Sequence, residues 1–102
     1  MKATSVEAFI LDDYKVVELA AKEYPIIRIY AGVKSQNVAV RIGDTYYDAN
    51  ITDEAYVYEV KLLDCSKKGV YSIDILNGKE VIAYNQSFEV KKKGFAVNSL
   101  FD

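Results

Sequence analysis

The side chains that could carry chemistry in this sequence are acids, tyrosines, lysines and one cysteine, because its 102 residues include no histidine. Histidine is the commonest general base and a frequent zinc and haem ligand, so its absence removes the Ser-His-Asp and Cys-His pairings and most such metal sites. The single cysteine, Cys65, cannot form a disulfide within the chain. We therefore expect a protein that is not an enzyme and that uses no cofactor and no metal ion.

One group of polar residues could supply oxygen ligands to Ca²⁺, and it consists of Asp44, Asp48, Asn50, Asp53 and Glu54. Carboxylate and amide oxygens are suitable calcium ligands, but the spacing fits no EF-hand. Asp48 and Glu54 could also serve as the carboxylate pair of a hydrolase, although nothing in the sequence places them across a cleft. Polar turn residues between two strands explain the group without a metal, and we favour that interpretation.

Nine residues are tyrosines, and an exposed tyrosine is well suited to binding because it offers a large, stiff surface and a hydroxyl group. The alternation of apolar and polar residues predicts four inward-facing tyrosines, which are Tyr56, Tyr58, Tyr71 and Tyr84. Three others are predicted to face outward or to lie in a loop, and these are Tyr30, Tyr46 and Tyr47. As a cluster, these three could anchor a protein partner or stack on a sugar ring; ordinary surface cover is the competing interpretation.

The C-terminal segment 95–102 is apolar, with four large side chains that follow the last predicted strand: Phe95, Val97, Leu100 and Phe101. Such side chains are costly to leave in water, so they need a surface to cover them. Packing on the segment's own domain is one interpretation. Docking on a partner or a neighbouring subunit, as an added strand or an anchoring arm, is the other.

Charge and hydropathy exclude several classes of partner. Thirteen Lys and Arg stand against fifteen Asp and Glu, a net charge of −2, which gives no field that would concentrate nucleic acid. No apolar run approaches the roughly 20 residues that span a bilayer, so we expect a soluble chain without membrane insertion. Two lysine groups, 67–68 and 91–93, could form a small basic patch or protect strand edges against pairing.

Period-two alternation dominates the chain and predicts strands near 6–10, 27–31, 38–42, 56–62, 71–75 and 80–90. Residues 14–24 fit either a strand or a short helix, and we favour a strand because Pro25 leaves room for only one or two helical turns. Residues 45–53 indicate a short edge strand or a loop. The total is seven or eight strands with turn signals at roughly 8–12-residue spacing.

Asn77-Gly78 gives the clearest turn signal, since both residues tolerate the positive φ of a type I′ hairpin. With these two as the loop, Ile73 is predicted to pair with Ile82, and Tyr71 with Tyr84. Both pairs then lie on the apolar face, so turn geometry and alternation agree.

These features favour an all-β, two-sheet antiparallel sandwich without a disulfide, and a closed barrel is the competing architecture. The segment Gly69-Val70-Tyr71-Ser72-Ile73-Asp74-Ile75 resembles the sixth strand of immunoglobulin-like and fibronectin type III-like domains. The resemblance implies that Tyr71 forms a tyrosine corner, with its phenol bonded to the backbone a few residues upstream. Ile73 stands where antibody-type domains carry their second cysteine, and no tryptophan is present, so the likeness is one of architecture.

We therefore expect residues 1–94 to form one immunoglobulin-like domain, followed by the apolar tail. The expected function is a non-catalytic structural or protein-interaction module of a larger assembly, of the virion or cell-surface type, with a protein partner or self-association. The alternative is a small carbohydrate-binding module that presents exposed tyrosines to a glycan.

Overall fold

The computed structural model describes residues 6–93, and the segments 1–5 and 94–102 lie outside this range. The described chain contains one short 3₁₀ helix, Asp12–Tyr14, and no helix in it is long and apolar enough to cross a membrane. The remaining elements are eight strands: β1 (Ala8–Ile10), β2 (Val16–Leu19), β3 (Ile26–Ala31), β4 (Val38–Ile42), β5 (Thr45–Ile51), β6 (Val57–Lys61), β7 (Gly69–Asn77) and β8 (Glu80–Lys92). The all-β prediction is confirmed.

The strands form one curled sheet in the order β1-β3-β6-β5-β4-β7-β8-β2. This differs in two ways from the expected pair of antiparallel sheets. The hydrogen-bonded order is continuous from β1 to β2, and the last pair is parallel, with Val16 opposite Glu89 and Leu19 opposite Lys92. The sheet is mixed because β2 runs alongside β8 in the same direction, whereas the other neighbouring strands are antiparallel.

Strand β5 joins the two halves of the sheet. Its first residues pair with β4, from Thr45 opposite Ile42 to Asp48 opposite Ala39. From Ala49 onwards it pairs instead with β6. The prediction of a strand within 45–53 is confirmed over Thr45–Ile51. Its placement at an edge is wrong, because this polar segment lies in the interior of the strand order and is shared between two sets of neighbours.

Both halves of the sheet contribute side chains to one core, as the alternation of the strands requires. The buried residues of β3 and β4 follow the predicted parity, with Ile27, Ile29, Val38 and Val40 at 2% exposure or less. Buried side chains from other elements complete the core, and they include Ile10, Tyr58, Val60, Leu62, Ile73, Ile75, Phe88 and Val90. The sheet therefore curls so that the apolar inner faces of its two halves pack against each other and are buried.

The two edge strands, β1 and β2, are consecutive in sequence and separated only by residues 11–15. Both are short, which limits the unpaired backbone that they present. The strand interpretation of 14–24 is confirmed over Val16–Leu19. Because β2 covers β8, Lys91 and Lys92 do not lie on an edge strand, and edge protection is not their role.

The β7–β8 hairpin departs from the predicted register. Asn77 pairs with Glu80, so the loop residues are Gly78 and Lys79, and Gly78 alone of these has a positive φ, of 64°. A type II′ turn has its positive φ at the first loop residue. Two register shifts then follow along the hairpin, and Tyr71 pairs with Phe88 rather than with Tyr84.

Tyr71 makes the contact predicted for it. Its hydroxyl donates a hydrogen bond to the Lys67 carbonyl oxygen at 2.6 Å, four residues upstream. Its ring stacks on Phe88 with the ring centroids 5.3 Å apart. The nearby Cys65 is a buried free thiol, so this part of the fold is held by packing and hydrogen bonds rather than by a disulfide.

Candidate interaction face

The outer face of β5, β4, β7 and β8 carries a row of four neighbouring side chains. Tyr46 pairs with Arg41, and Arg41 pairs with Asp74. Ala83 pairs with Ile75 and Gln86 with Ile73, so Tyr84 and Asn85 both lie opposite Asp74, at a register shift in β8. We call this set, Tyr46-Arg41-Asp74-Tyr84, the outer row.

The centre of the outer row is an ion pair with tight geometry. The Arg41 Nη2 atom donates to Asp74 Oδ2 at 2.7 Å, and both side chains are about three-quarters covered. Arg41 also donates weakly to the Tyr46 hydroxyl at 3.5 Å, and its guanidinium carbon lies 5.9 Å from the centre of the Tyr46 ring. Arg41 is thereby held between a carboxylate and an aromatic ring, which restricts its rotamers.

The surroundings keep both members of this pair charged. The hydrogen bond from Arg41 and, secondly, the backbone N–H of Asn85 lower the pKa of the Asp74 carboxyl group. The carboxylate of Asp74 and the hydroxyl of Tyr46 raise the pKa of the Arg41 guanidinium above its ordinary value. The pair therefore stays ionised throughout the neutral pH range.

A bulge in β8 fixes Asp74 from the other side. Asn85 has a φ of 53°, a left-handed conformation that asparagine tolerates better than most residues. Its N–H donates to Asp74 Oδ1 at 2.9 Å, so the two carboxylate oxygens accept from different strands. Bulges redirect side chains at functional positions, and this one places Tyr84 on the outer face.

The tyrosines at the two ends of the outer row are open to solvent, with Tyr46 59% and Tyr84 64% exposed. Tyrosine and arginine, with tryptophan, are enriched in the energetically dominant positions of protein interfaces. The outer row thus combines exposed aromatic surface with an arginine whose orientation is already set. The outer row therefore presents aromatic surface at both ends and a satisfied ion pair between them.

A second feature is a groove of about 520 Å³ at one end of the domain, between the loop 32–37 and the loop 52–56. Lys34 and Gln36 line one side, and Ile51, Glu54 and Tyr56 line the other. The volume is within the range of small-molecule sites. We call it the end groove.

Hydrogen bonds from the sheet brace both loops of the end groove. The buried Tyr58 donates its hydroxyl hydrogen to the Val33 carbonyl and accepts from the Ser35 N–H at 3.1 Å. On the other side, the Thr52 hydroxyl donates to the Val57 carbonyl at 2.9 Å and accepts from the Glu54 N–H. The walls of the groove are therefore preformed.

Tyr56 lies in the end groove in a strained backbone conformation, with a φ of 68°. This region is costly for a bulky residue and is associated with functional sites. The Lys34 ammonium lies 5.4 Å from the centre of its ring. The prediction that Tyr56 points into the core is wrong, because the residue precedes β6 and the strand's alternation does not extend to it.

The three tyrosines predicted as a binding cluster lie apart. Tyr30 stacks on Phe9 at 5.2 Å and is tilted against Tyr56 at 6.1 Å, on the β1-β3-β6 half of the sheet. Tyr46 belongs to the outer row, whereas Tyr47 packs against the core. The three therefore do not form the one cluster that such binding would need, because Tyr46 and Tyr47 alternate between the two faces of β5. The remaining predicted contact residues, Phe95, Val97, Leu100 and Phe101, lie outside the described residues.

Tyr47 is half-buried, and its contacts are with its own domain. Its hydroxyl donates to Asp64 Oδ2 at 3.0 Å, and burial together with this carboxylate raises the pKa of Tyr47 to about 12. Burial, and then the charge of Asp64, likewise raise the pKa of the neighbouring Cys65 thiol. Both groups are thus neutral near pH 7, and Cys65 is not activated as a nucleophile.

Across residues 6–93, no three acidic or cysteine side chains come close enough to hold a metal ion. The acidic residues 44–54 are distributed along β5 and its flanking turns.

Sequence reasoning missed Arg41, Asp74 and Tyr84 as site residues. Arg41 and Asp74 were recognisable as outward-facing, but only the strand order shows that β4 lies beside β7, and only the bulge places Tyr84 outside.

The fold and the outer row define a small all-β domain with a preorganised, tyrosine-rich outer face. The chain belongs to a family described as Domain of unknown function (DUF7862), whose family model matches residues 6–93. Comparison with curated proteins and with solved structures gave no match.

Proposed function

We propose that this domain is a non-catalytic interaction module of a larger assembly and that it contacts a protein partner through the outer row. The observation that carries the proposal is the Arg41–Asp74 ion pair, which lies between the two exposed tyrosines, Tyr46 and Tyr84. Immobilising flexible side chains is one of the costs of association. Because Arg41 is already ordered in the free domain, it loses little side-chain entropy when a partner binds.

The shape of this surface favours a polypeptide over a small ligand. The row crosses four adjacent strands of one sheet face, whereas small ligands require a concave site that covers most of their surface. Its ion pair is already satisfied, so covering it leaves no unpaired charge. Tyrosine and arginine are also among the residue types that are enriched at protein interfaces relative to the rest of the surface.

For the fold, we propose an immunoglobulin-like sandwich whose two layers share β5. One layer would be β1-β3-β6-β5 and the other β5-β4-β7-β8-β2, with the core between them. The hydrogen bond from Tyr71 to the backbone upstream supports this interpretation. Domains of this architecture commonly serve as adhesion or spacer units, which accords with a role at a virion or cell surface.

The second candidate function is carbohydrate binding, and the end groove is the observation that favours it. Tyr56 offers an aromatic ring there, with Gln36 and Glu54 as hydrogen-bonding groups for sugar hydroxyls. The Lys34 ammonium already lies over that ring, so a sugar would have to displace it in order to stack. For this reason we favour the outer row over the end groove as the functional site.

Photo-crosslinking in the cells from which the chain comes tests the proposed function. A benzoylphenylalanine placed at Tyr46 or at Tyr84 is expected to give covalent adducts with a polypeptide. The same probe at Leu63, which is 57% exposed in the loop between β6 and β7, is the matched control and is expected to give none. Equal yields at the three positions, or no adduct at Tyr46 and Tyr84, would contradict the proposal. A glycan array that binds the wild type but not Tyr56→Ala would support the second candidate.

A further inference from the structure

The outer row is self-complementary. In order across the strands, it presents an aromatic ring, a cation, an anion and an aromatic ring, as Tyr46-Arg41-Asp74-Tyr84. A twofold axis parallel to the strands, midway between Arg41 and Asp74, would reverse the row of a second copy. Arg41 would then face the partner's Asp74, and Tyr46 would face the partner's Tyr84, as an isologous interface requires.

We infer that the partner of the outer row is a second copy of this chain, related by that twofold axis; this inference rests on the proposed function. Charge complementarity supports it. The chain carries a net charge of −2, yet its outer row is neutral and pairs each charge with its opposite. Two copies can therefore meet at this face without the repulsion that their net charge produces elsewhere.

The residues beside the outer row permit close approach of a second sheet. On one side, β4, β7 and β8 present Ala39, Leu76 and Val81, which pair across the strands. On the other side, Ser72 pairs with Ser87. Ala39 and Val81 are half-buried and Leu76 is 2% exposed, whereas Tyr46 and Tyr84 are 59% and 64% exposed. Facing sheets lie about 10 Å apart, a distance that tyrosine side chains can bridge.

Sedimentation equilibrium of the full chain with exchanged charges tests this inference. The wild type is expected to reach twice the 11.5 kDa chain mass at high concentration. Arg41→Asp and Asp74→Arg each place like charges at both crossing points of the dimer, so each variant alone is expected to dimerise at least about 100-fold more weakly. An equimolar mixture of the two restores both opposite-charge contacts and is expected to recover the dimer.

The Arg28–Glu59 pair provides the matched control, because it joins β3 and β6 on the other half of the sheet at 3.5 Å. Arg28→Asp and Glu59→Arg are expected to leave the association unchanged. The double variant R41D/D74R restores the pair within one chain and is expected to dimerise, so loss of folding in a single variant would not obscure the result.

A wild type that remains a monomer, or a charge-exchanged mixture that fails to associate, would overturn the second copy as partner. If polypeptide crosslinks at Tyr46 and Tyr84 persist in that case, the proposed function stands with a different partner. If they are absent as well, both proposals fail. Equal weakening by the Arg28 and Arg41 variants would also contradict the inference, since it would indicate a general charge effect.

Discussion

Replacing Phe88 with alanine is expected to lower the free energy of unfolding by about 3–5 kcal/mol, measured by urea denaturation. Phe88 is 1% exposed, lies in the C-terminal half of β8 and stacks on the Tyr71 ring. The truncation removes buried apolar surface and leaves a cavity between the strands. Because small domains are stable by only about 5–15 kcal/mol, this single change removes a large part of the total.

Val70→Ala is the matched control for Phe88→Ala. Val70 precedes Tyr71 on the adjacent strand and is 73% exposed, so its truncation is expected to change stability by no more than about 0.5 kcal/mol. Similar losses in the two variants would show that β8 does not run through the core.

Glutamate in place of Ala49 is expected to cost at least about 3 kcal/mol, or to abolish cooperative unfolding, because it buries a charge without a partner and overfills the core. Ala49 is 7% exposed and lies opposite Val60, where β5 changes from pairing with β4 to pairing with β6. Thermal and urea unfolding, followed by circular dichroism, would measure the effect.

Ile51→Glu makes the corresponding test at a position two residues further along β5. Ile51 is 72% exposed beside the end groove, so the same side chain there is expected to change stability by no more than about 0.5 kcal/mol. A cost below about 1 kcal/mol for Ala49→Glu would contradict the assignment of β5 as the shared strand at the centre of the fold.

Most of the strands were predictable because their two faces differ in polarity. Val38–Ile42 was predicted with the correct bounds, and the buried positions of β3 follow the expected alternation. Strand β5 was not predictable as a central strand, since its two halves have different neighbours and its outer positions are polar. Only long-range pairing, which alternation does not encode, places it between β4 and β6.

The hairpin register failed for a local reason. Asn77-Gly78 and Gly78-Lys79 both satisfy turn rules, and the choice between them shifts the pairing along both strands. The bulge at Asn85 changes the register again and turns Tyr84 outward. Tyr46 was predicted as a contact residue from its outward position alone. The partners that make it part of a row, Arg41 and Asp74, follow from the order of the strands.

Hydroxyl-radical footprinting of the tyrosines is the most direct test of the outer row as the contact face. The native assembly, isolated intact, would be compared with the purified chain at high dilution. Tyr24 and Tyr56, each 38% exposed and outside the row, provide references within the same molecule. The account predicts a several-fold loss of reactivity at Tyr46 and Tyr84 in the assembly, with both references unchanged. Undiminished reactivity at Tyr46 and Tyr84, or protection confined to Tyr24 and Tyr56, would contradict it.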